Sequence, residues 1–155
     1  MTPEEQAAFF SSLSMYAQST YRRWKGMRPS CCLAQAGLET GYGSRVIGKA
    51  NYWGIKTTAW IPGKIAVSTH EWNPVTKQMD PKTLWFADFP TLQDGFDAYG
   101  RLVSHNPVYE IAREQIDLSR YVEELSKHWA SDPNYAGKVM LEISQFNLSQ
   151  YDSPL

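Results

Sequence analysis

The sequence has only two cysteines and three histidines, and these shortages limit what the protein can be. Cys31 and Cys32 are adjacent in a predicted helix, where the geometry disfavours a disulfide between them. We therefore expect both to be small buried residues. The histidines, His70, His105 and His128, lack the spacing of metal ligands. The sequence therefore predicts no metal site and no other cofactor.

Long apolar runs and an excess of basic charge are also missing. The first 25 residues contain no long apolar run, so we expect neither a signal peptide nor insertion into a membrane. The net charge is −1, which argues against a nucleic-acid-binding protein held by phosphate contacts. We expect a protein that is made in the cytoplasm and leaves it by a route that needs no signal peptide.

Aromatic residues, by contrast, are plentiful: they make up 14% of the 155 residues and include six Trp and nine Tyr. A chain of this length can bury one core without disulfides. Flat rings fill such cores, and they also stack on sugars and nucleobases. The composition predicts one globular domain with rings to spare.

Start and stop signals divide the chain into helices around one β segment. Thr2 and Pro3 start a helix of about 20 residues, and Pro29 starts a second helix that stops at Gly41. Alternation over 65–71 and a short run at 84–86 predict an antiparallel hairpin with a loop over 73–82. Helices are predicted from Thr91, over 107–115 and 117–130, and from Pro133. Their predicted core anchors are Ile111, Val122, Leu125, Val139 and Ile143.

Glu39 lies at the end of the second predicted helix. Apolar residues recur at helical spacing from Leu33 to Leu38, and glycines follow at positions 41 and 43. This pattern places Glu39 beside a buried face, in surroundings that disfavour its ionised form, as a general acid requires. The alternative is a helix-terminal Glu that reaches solvent.

Four short elements, in order along the chain, carry a family resemblance. They are Leu38–Gly43, Asn51–Lys56, Thr69–Trp72 and Ser131–Ala136. In this combination the chain resembles the family 73 glucosaminidases, which are peptidoglycan hydrolases. Tyr52, Trp53 and Trp129 depart from the residues usual in that family, but each keeps an aromatic ring.

The resemblance implies an α+β, mostly helical, lysozyme-like fold. One domain would cover residues 1–155, with a small antiparallel β lobe at about 57–90 flanking a cleft. It implies hydrolysis of the β-1,4 bond between N-acetylglucosamine and N-acetylmuramic acid. Glycoside hydrolysis needs an acid and a second group at the anomeric centre. Glu39 would be the acid.

The same resemblance gives roles to Glu71 and Tyr135. Glu71 would face Glu39 across the cleft as base or electrostatic stabiliser, after movement of its strand if closure is needed. Tyr135 would line the cleft and orient the acetamido group of the substrate. The alternatives are an exposed hairpin glutamate and a core tyrosine.

Residues in or near the four elements are candidates for substrate binding: Asn51, Trp53, Lys56, Trp72 and Asp132, together with Trp60. The tryptophans would stack on sugars or pack in the core. Asn51 would hold the loop after the catalytic helix through backbone hydrogen bonds. Lys56 would meet a peptide-stem carboxylate or lie on the surface.

Several functions remain open from the sequence. A lysozyme-like muramidase or a lytic transglycosylase would also use one acidic Glu after a helix. A non-catalytic glycan-binding or assembly module is an alternative of another class. The expected partner is the peptidoglycan glycan strand. The expected role is that of a phage lysis enzyme or a delivered antibacterial toxin, acting in the periplasm or cell wall, with a cognate immunity protein in the second case.

Overall fold

The computed structural model describes residues 1–59, 61 and 63–153, so the candidate Trp60 lies outside the described residues. The helices and strands, in chain order, are α1 (Pro3–Arg23), α2 (Pro29–Thr40), β1 (Lys64–Asn73), β2 (Gln78–Ala87), α3 (Leu92–His105), α4 (Glu110–Arg113), α5 (Leu118–Trp129) and α6 (Tyr135–Gln145). Short 3-10 helices span Pro107–Tyr109 and Leu148–Asp152. The predicted α+β, mostly helical fold is confirmed.

Helix α1 begins with the predicted capping box. The backbone N–H of Glu5 donates to the Thr2 hydroxyl, and the Glu5 carboxylate accepts from the backbone N–H of Thr2 at 2.7 Å. These bonds satisfy N–H groups that a helix start otherwise leaves unpaired. The helix then packs Phe10, Leu13 and Ala17 into the core.

Helix α2 lies in the centre of the molecule, and most of its side chains are buried. Cys31 and Cys32 are both buried and free, as predicted, and burial raises the pKa of the Cys31 thiol to about 12. The C-terminal segment closes over the start of the helix. There the backbone N–H and the hydroxyl of Ser30 donate to the Asp152 carboxylate at 2.8 and 2.6 Å.

The β hairpin is longer than the sequence predicts. Its antiparallel pairing runs from Lys64 opposite Ala87 to Asn73 opposite Gln78, so the connection is only residues 74–77. The predicted loop over 73–82 is therefore wrong. In a two-stranded sheet both strands are edges, where a proline such as Pro81 is tolerated because its missing N–H faces outward.

Ile111 is a second correction. It is 57% exposed, whereas the other four predicted anchors are buried. Helix α4 has only four residues, and it places Ala112 rather than Ile111 in the core. The last helix also begins later than predicted, at Tyr135 instead of Pro133. Among the described helices, none combines the length and apolar character needed to cross a bilayer.

Candidate active site

A cleft of about 1260 Å³ opens between the helices and the base of the hairpin. Its walls come from the end of α2, the segment 53–58, helix α3 and the junction between α5 and α6. Pockets for small ligands measure about 300–1,000 Å³. The cleft therefore has room for more than one unit of an oligomeric ligand.

Glu39 lines this cleft from the last turn of α2. The helix ends at Gly41, and Gly41, Tyr42 and Gly43 all have positive φ. Thr40 fixes the turn, since its hydroxyl donates to the Ala36 carbonyl and accepts from the Gly43 N–H. Because the chain turns away directly after Glu39, its side chain is exposed to the cleft. The enclosed surroundings that the sequence predicts for it are not formed.

Tyr135 is hydrogen-bonded to Glu39. It is only 7% exposed, and its hydroxyl donates to Glu39 Oε1 at 3.1 Å. Burial first, and then the adjacent Glu39 carboxylate, raise the pKa of the Tyr135 phenol above its ordinary value. Tyr135 is therefore a neutral donor at physiological pH, and it holds one carboxylate oxygen of Glu39 in place.

Gln35, to which the sequence alone assigns no role, directs the Tyr135 proton. Fully buried in α2, it donates from Nε2 to the Tyr135 oxygen at 3.2 Å, while its Oε1 accepts from the Tyr99 hydroxyl. Because the Tyr135 oxygen accepts from Gln35, the hydroxyl proton of Tyr135 points at Glu39. The available signal was a polar residue on the apolar face of α2, four positions before Glu39 and so on the same side.

A second contact between α2 and α6 steadies the turn after Glu39. The Tyr42 hydroxyl donates to Glu142 Oε1 at 2.7 Å, and burial raises the pKa of the Glu142 carboxyl. Tyr135 and Glu142 are two turns apart on α6, so the two bonds hold the end of α2 at two points. Helix α6 thus fixes the position of Glu39.

Asp132 lines the cleft just before α6. Its two oxygens accept from Lys138 Nζ at 2.6 Å and from the Asn134 backbone N–H at 2.9 Å. The Lys138 bond, followed by the Asn134 bond, lowers the pKa of Asp132. Asp132 is therefore an anion already paired with a cation. The N-cap position of α6 is Asn134, whose side chain makes no capping bond.

The segment after α2 places three further candidates. Trp53 lines the cleft but is only 3% exposed, and its indole N–H donates to the Cys32 carbonyl at 2.9 Å. Asn51 is buried outside the cleft lining, where its amide bonds the backbone of Ile55 and Ala87. Lys56 lines the cleft with an exposed side chain. Asn51 is thus placed to hold the loop and Lys56 to meet a ligand.

Glu71 and Trp72 lie on the outer part of the hairpin and do not line the cleft. The Glu71 carboxylate is exposed and pairs with Lys82 at 2.9 Å. Phe86 lines the cleft and pairs with Ile65 across the hairpin. Glu71 lies on the same strand face as Ile65 but six residues further along β1, roughly 20 Å away. Trp72 is 59% exposed on the other face. The structure brings Glu39 and Tyr135 together but not Glu71.

Metal ligands are not grouped here either. Within the described part of the chain, no three His, Cys, Asp or Glu side chains lie close enough together to hold a metal ion.

Comparison with known proteins identifies the family of this chain. Residues 15–148 match the Glucosaminidase family model, described as mannosyl-glycoprotein endo-beta-N-acetylglucosaminidase. The chain is 34% identical to the peptidoglycan hydrolase FlgJ of Vibrio parahaemolyticus, over 89% of this chain and 46% of that protein. It spans about half the length of the curated relatives it matches.

Two solved structures have the same fold. The catalytic domain of the autolysin Auto from Listeria monocytogenes superposes with a TM-score of 0.82 at 27% identity, covering 98% of this chain and 90% of that one. A C-terminally truncated glycoside hydrolase domain of Salmonella typhimurium FlgJ gives a TM-score of 0.73 at 26% identity, covering 92% of this chain and 97% of that one. The matched family model extends over most of the chain, and the protein belongs to the family 73 glucosaminidases, a family of glycoside hydrolases.

Proposed function

We propose that this chain is a peptidoglycan hydrolase, an endo-β-N-acetylglucosaminidase that cleaves the β-1,4 bond between N-acetylglucosamine and N-acetylmuramic acid. The observation that carries the proposal is the hydrogen-bonded pair of Glu39 and Tyr135 on a long open cleft. Family membership supports the reaction, and the names of the relatives support the substrate. Residues 1–155 would form one catalytic domain.

Glu39 is proposed as the general acid. Its Oε1 is held by the Tyr135 phenol, so the transferable proton is carried by Oε2. The proton passes to the glycosidic oxygen as the bond to the anomeric carbon breaks. The ring then carries positive charge, and a second group must stabilise or attack the anomeric carbon.

Glu71 is proposed as that second group, acting after the hairpin bends over the bound strand. Among the described residues, the hydrogen bonds of the outer hairpin over 68–83 stay within the hairpin, while its base is tied to Ile55 and Thr57. The outer part is therefore the end that is free to bend. Closure of this kind excludes water and completes a catalytic site.

The alternative second group is the acetamido group of the substrate. It is favoured by one observation: Glu39 and Tyr135 are already joined, whereas Glu71 is paired with Lys82 on the outer hairpin. In that route Tyr135 orients the acetamido group, and no protein nucleophile is needed.

The bond that is cut decides between the glucosaminidase and its lysozyme-like alternatives. We expect digestion of purified peptidoglycan to release fragments with N-acetylglucosamine at the reducing end, because the matched family model is described as a glucosaminidase. Borohydride reduction followed by mass spectrometry identifies that end. Reduced muramic acid would show a muramidase instead, and an anhydro-muramic end a transglycosylase. Binding without any release would favour the non-catalytic module.

The role of Gln35 is open to a separate test. Gln35→Leu leaves the buried Tyr99 hydroxyl unpaired and frees the Tyr135 phenol, so we expect the free energy of unfolding to fall by about 1–3 kcal/mol. The turnover rate should fall by as much as about 100-fold, because the Tyr135–Glu39 pair loses its alignment. Denaturant unfolding and initial rates measure the two effects.

A double variant separates stability from positioning. Adding Tyr99→Phe to Gln35→Leu removes the unpaired hydroxyl, so stability should partly return while turnover stays low. Recovery of turnover along with stability would show that Gln35 serves only the fold.

We further propose that the enzyme acts in the periplasm or cell wall, as a phage lysis enzyme or a delivered antibacterial toxin. A neighbouring gene whose product binds and inhibits the enzyme would identify the toxin role and its immunity protein. A neighbouring gene for a membrane-hole protein would identify the lysis role.

A further inference from the structure

Charged side chains of both signs line the cleft. Among the described residues that line it, the carboxylates are Glu39 and Asp132, and Asp132 is already paired with Lys138. Lys56 and Arg101 also line it, beside two histidines. Lys56 therefore stands on the cleft wall as a cation that an anionic ligand can meet.

Helix α3 and the segment after α2 supply the two cations. Arg101 is exposed on α3, and His105, one turn later, lies on the same side of the helix and also lines the cleft. Buried Tyr99 and Val103 anchor this helix in the core. The helix that carries Arg101 and His105 is therefore held in place by the core.

Lys56 has a fixed backbone and an unengaged head group. Its backbone bridges to Phe86 at the base of the hairpin. Its side chain is exposed, and within the described ranges it makes no ion pair. Such an ammonium can meet an anionic ligand without first breaking one of the ion pairs of the described residues, although its side chain must become ordered on binding.

We propose that Lys56 and Arg101 form a subsite for the carboxylates of the peptide stem carried by the glycan strand. This inference rests on the proposed function. N-acetylglucosamine is uncharged, and the lactyl carboxyl of N-acetylmuramic acid is consumed in the amide bond to the stem. The free carboxylates of an intact strand therefore lie on the peptide, and they are the groups that the two cations would bind.

The test compares matched charge variants on soluble peptidoglycan strands. The subsite variant is Lys56→Gln with Arg101→Gln. The control is Lys49→Gln with Arg22→Gln, which removes the same charge at two exposed positions outside the cleft lining. Each is assayed on intact strands, on strands whose carboxylates are capped as amides, and on strands stripped of stems by an amidase, which keep only the lactyl carboxylate.

We expect the subsite variant to raise KM on intact strands by about three- to tenfold with kcat within about twofold, since exposed ion pairs contribute modestly and bind substrate and transition state alike. Capping or stripping the strands should raise the wild-type KM to the level of the variant. Added salt should weaken the wild type more than the variant.

Three outcomes would overturn the subsite. The wild-type KM could be unchanged by capping, or the Lys49/Arg22 control could raise KM as much as the subsite variant does. The difference in KM between the wild type and the subsite variant could also persist on stripped strands, which would assign the cations to the lactyl group. Binding of intact and capped strands to Glu39→Gln protein measures the same preference without turnover. A wild-type protein that binds strands with this preference but never cleaves them would contradict the proposed function alone.

Discussion

Replacing Glu39 by Gln is expected to abolish turnover of peptidoglycan without unfolding the protein. The amide has the shape of the carboxyl group and still accepts from the Tyr135 hydroxyl, but it cannot donate the proton that the leaving oxygen needs. Loss of a general acid costs about two to four orders of magnitude in rate. Release of reducing ends measures the rate, and thermal unfolding shows that the variant is folded.

Glu123→Gln is the matched control, because Glu123 is an exposed helical glutamate outside the cleft lining. It should keep the wild-type rate. A folded Glu39→Gln protein with a rate within a few-fold of the wild type would remove Glu39 from the mechanism.

The second large effect separates Glu71 from Tyr135. If Glu71 is the base after hairpin closure, Glu71→Gln should lower the rate about as much as Glu39→Gln, and azide should restore part of it by replacing the lost anion. If the acetamido group attacks, Glu71→Gln should be mild and Tyr135→Phe severe, because the phenol then orients that group. Initial rates of the two variants distinguish the routes.

Asp80→Asn is the control for Glu71→Gln, since Asp80 lies directly opposite Glu71 on the hairpin and undergoes the same change of carboxylate to amide. It should leave the rate unchanged. NMR of the first-formed anomer adds an independent reading: direct attack of water inverts the configuration and acetamido attack retains it. Retention together with a nearly active Glu71→Gln protein would contradict the proposed role of Glu71.

The sequence by itself determined the elements that depend on local signals. The capping box at Thr2, the proline at the start of α2 and the cap at Thr91 all lie where the helices begin. Such signals act within about four residues, so they can be read without knowing the fold. The four ordered motifs likewise identified the family that the comparisons confirm.

Local sequence signals did not determine the length of the hairpin or the exposure of Ile111. Strand pairing continued through Pro81 because both strands are edges, and Ile111 faced outward because the short α4 turned Ala112 inward. The extent of strand pairing and the orientation of α4 both depend on which part of the protein packs against each element. The periodic pattern of one segment does not contain that information.

The arrangement of the proposed catalytic residues was decided by the tertiary structure alone. Gln35 and Tyr135 are 100 residues apart, yet one hydrogen bond joins them and aims the phenol at Glu39. Glu71, only 32 residues from Glu39, lies out on the hairpin beside Lys82. The sequence fixes which side chains are present and on which element each is carried. The distance between two of them is set by how α2, α6 and the hairpin pack, since packing acts between elements far apart in the chain.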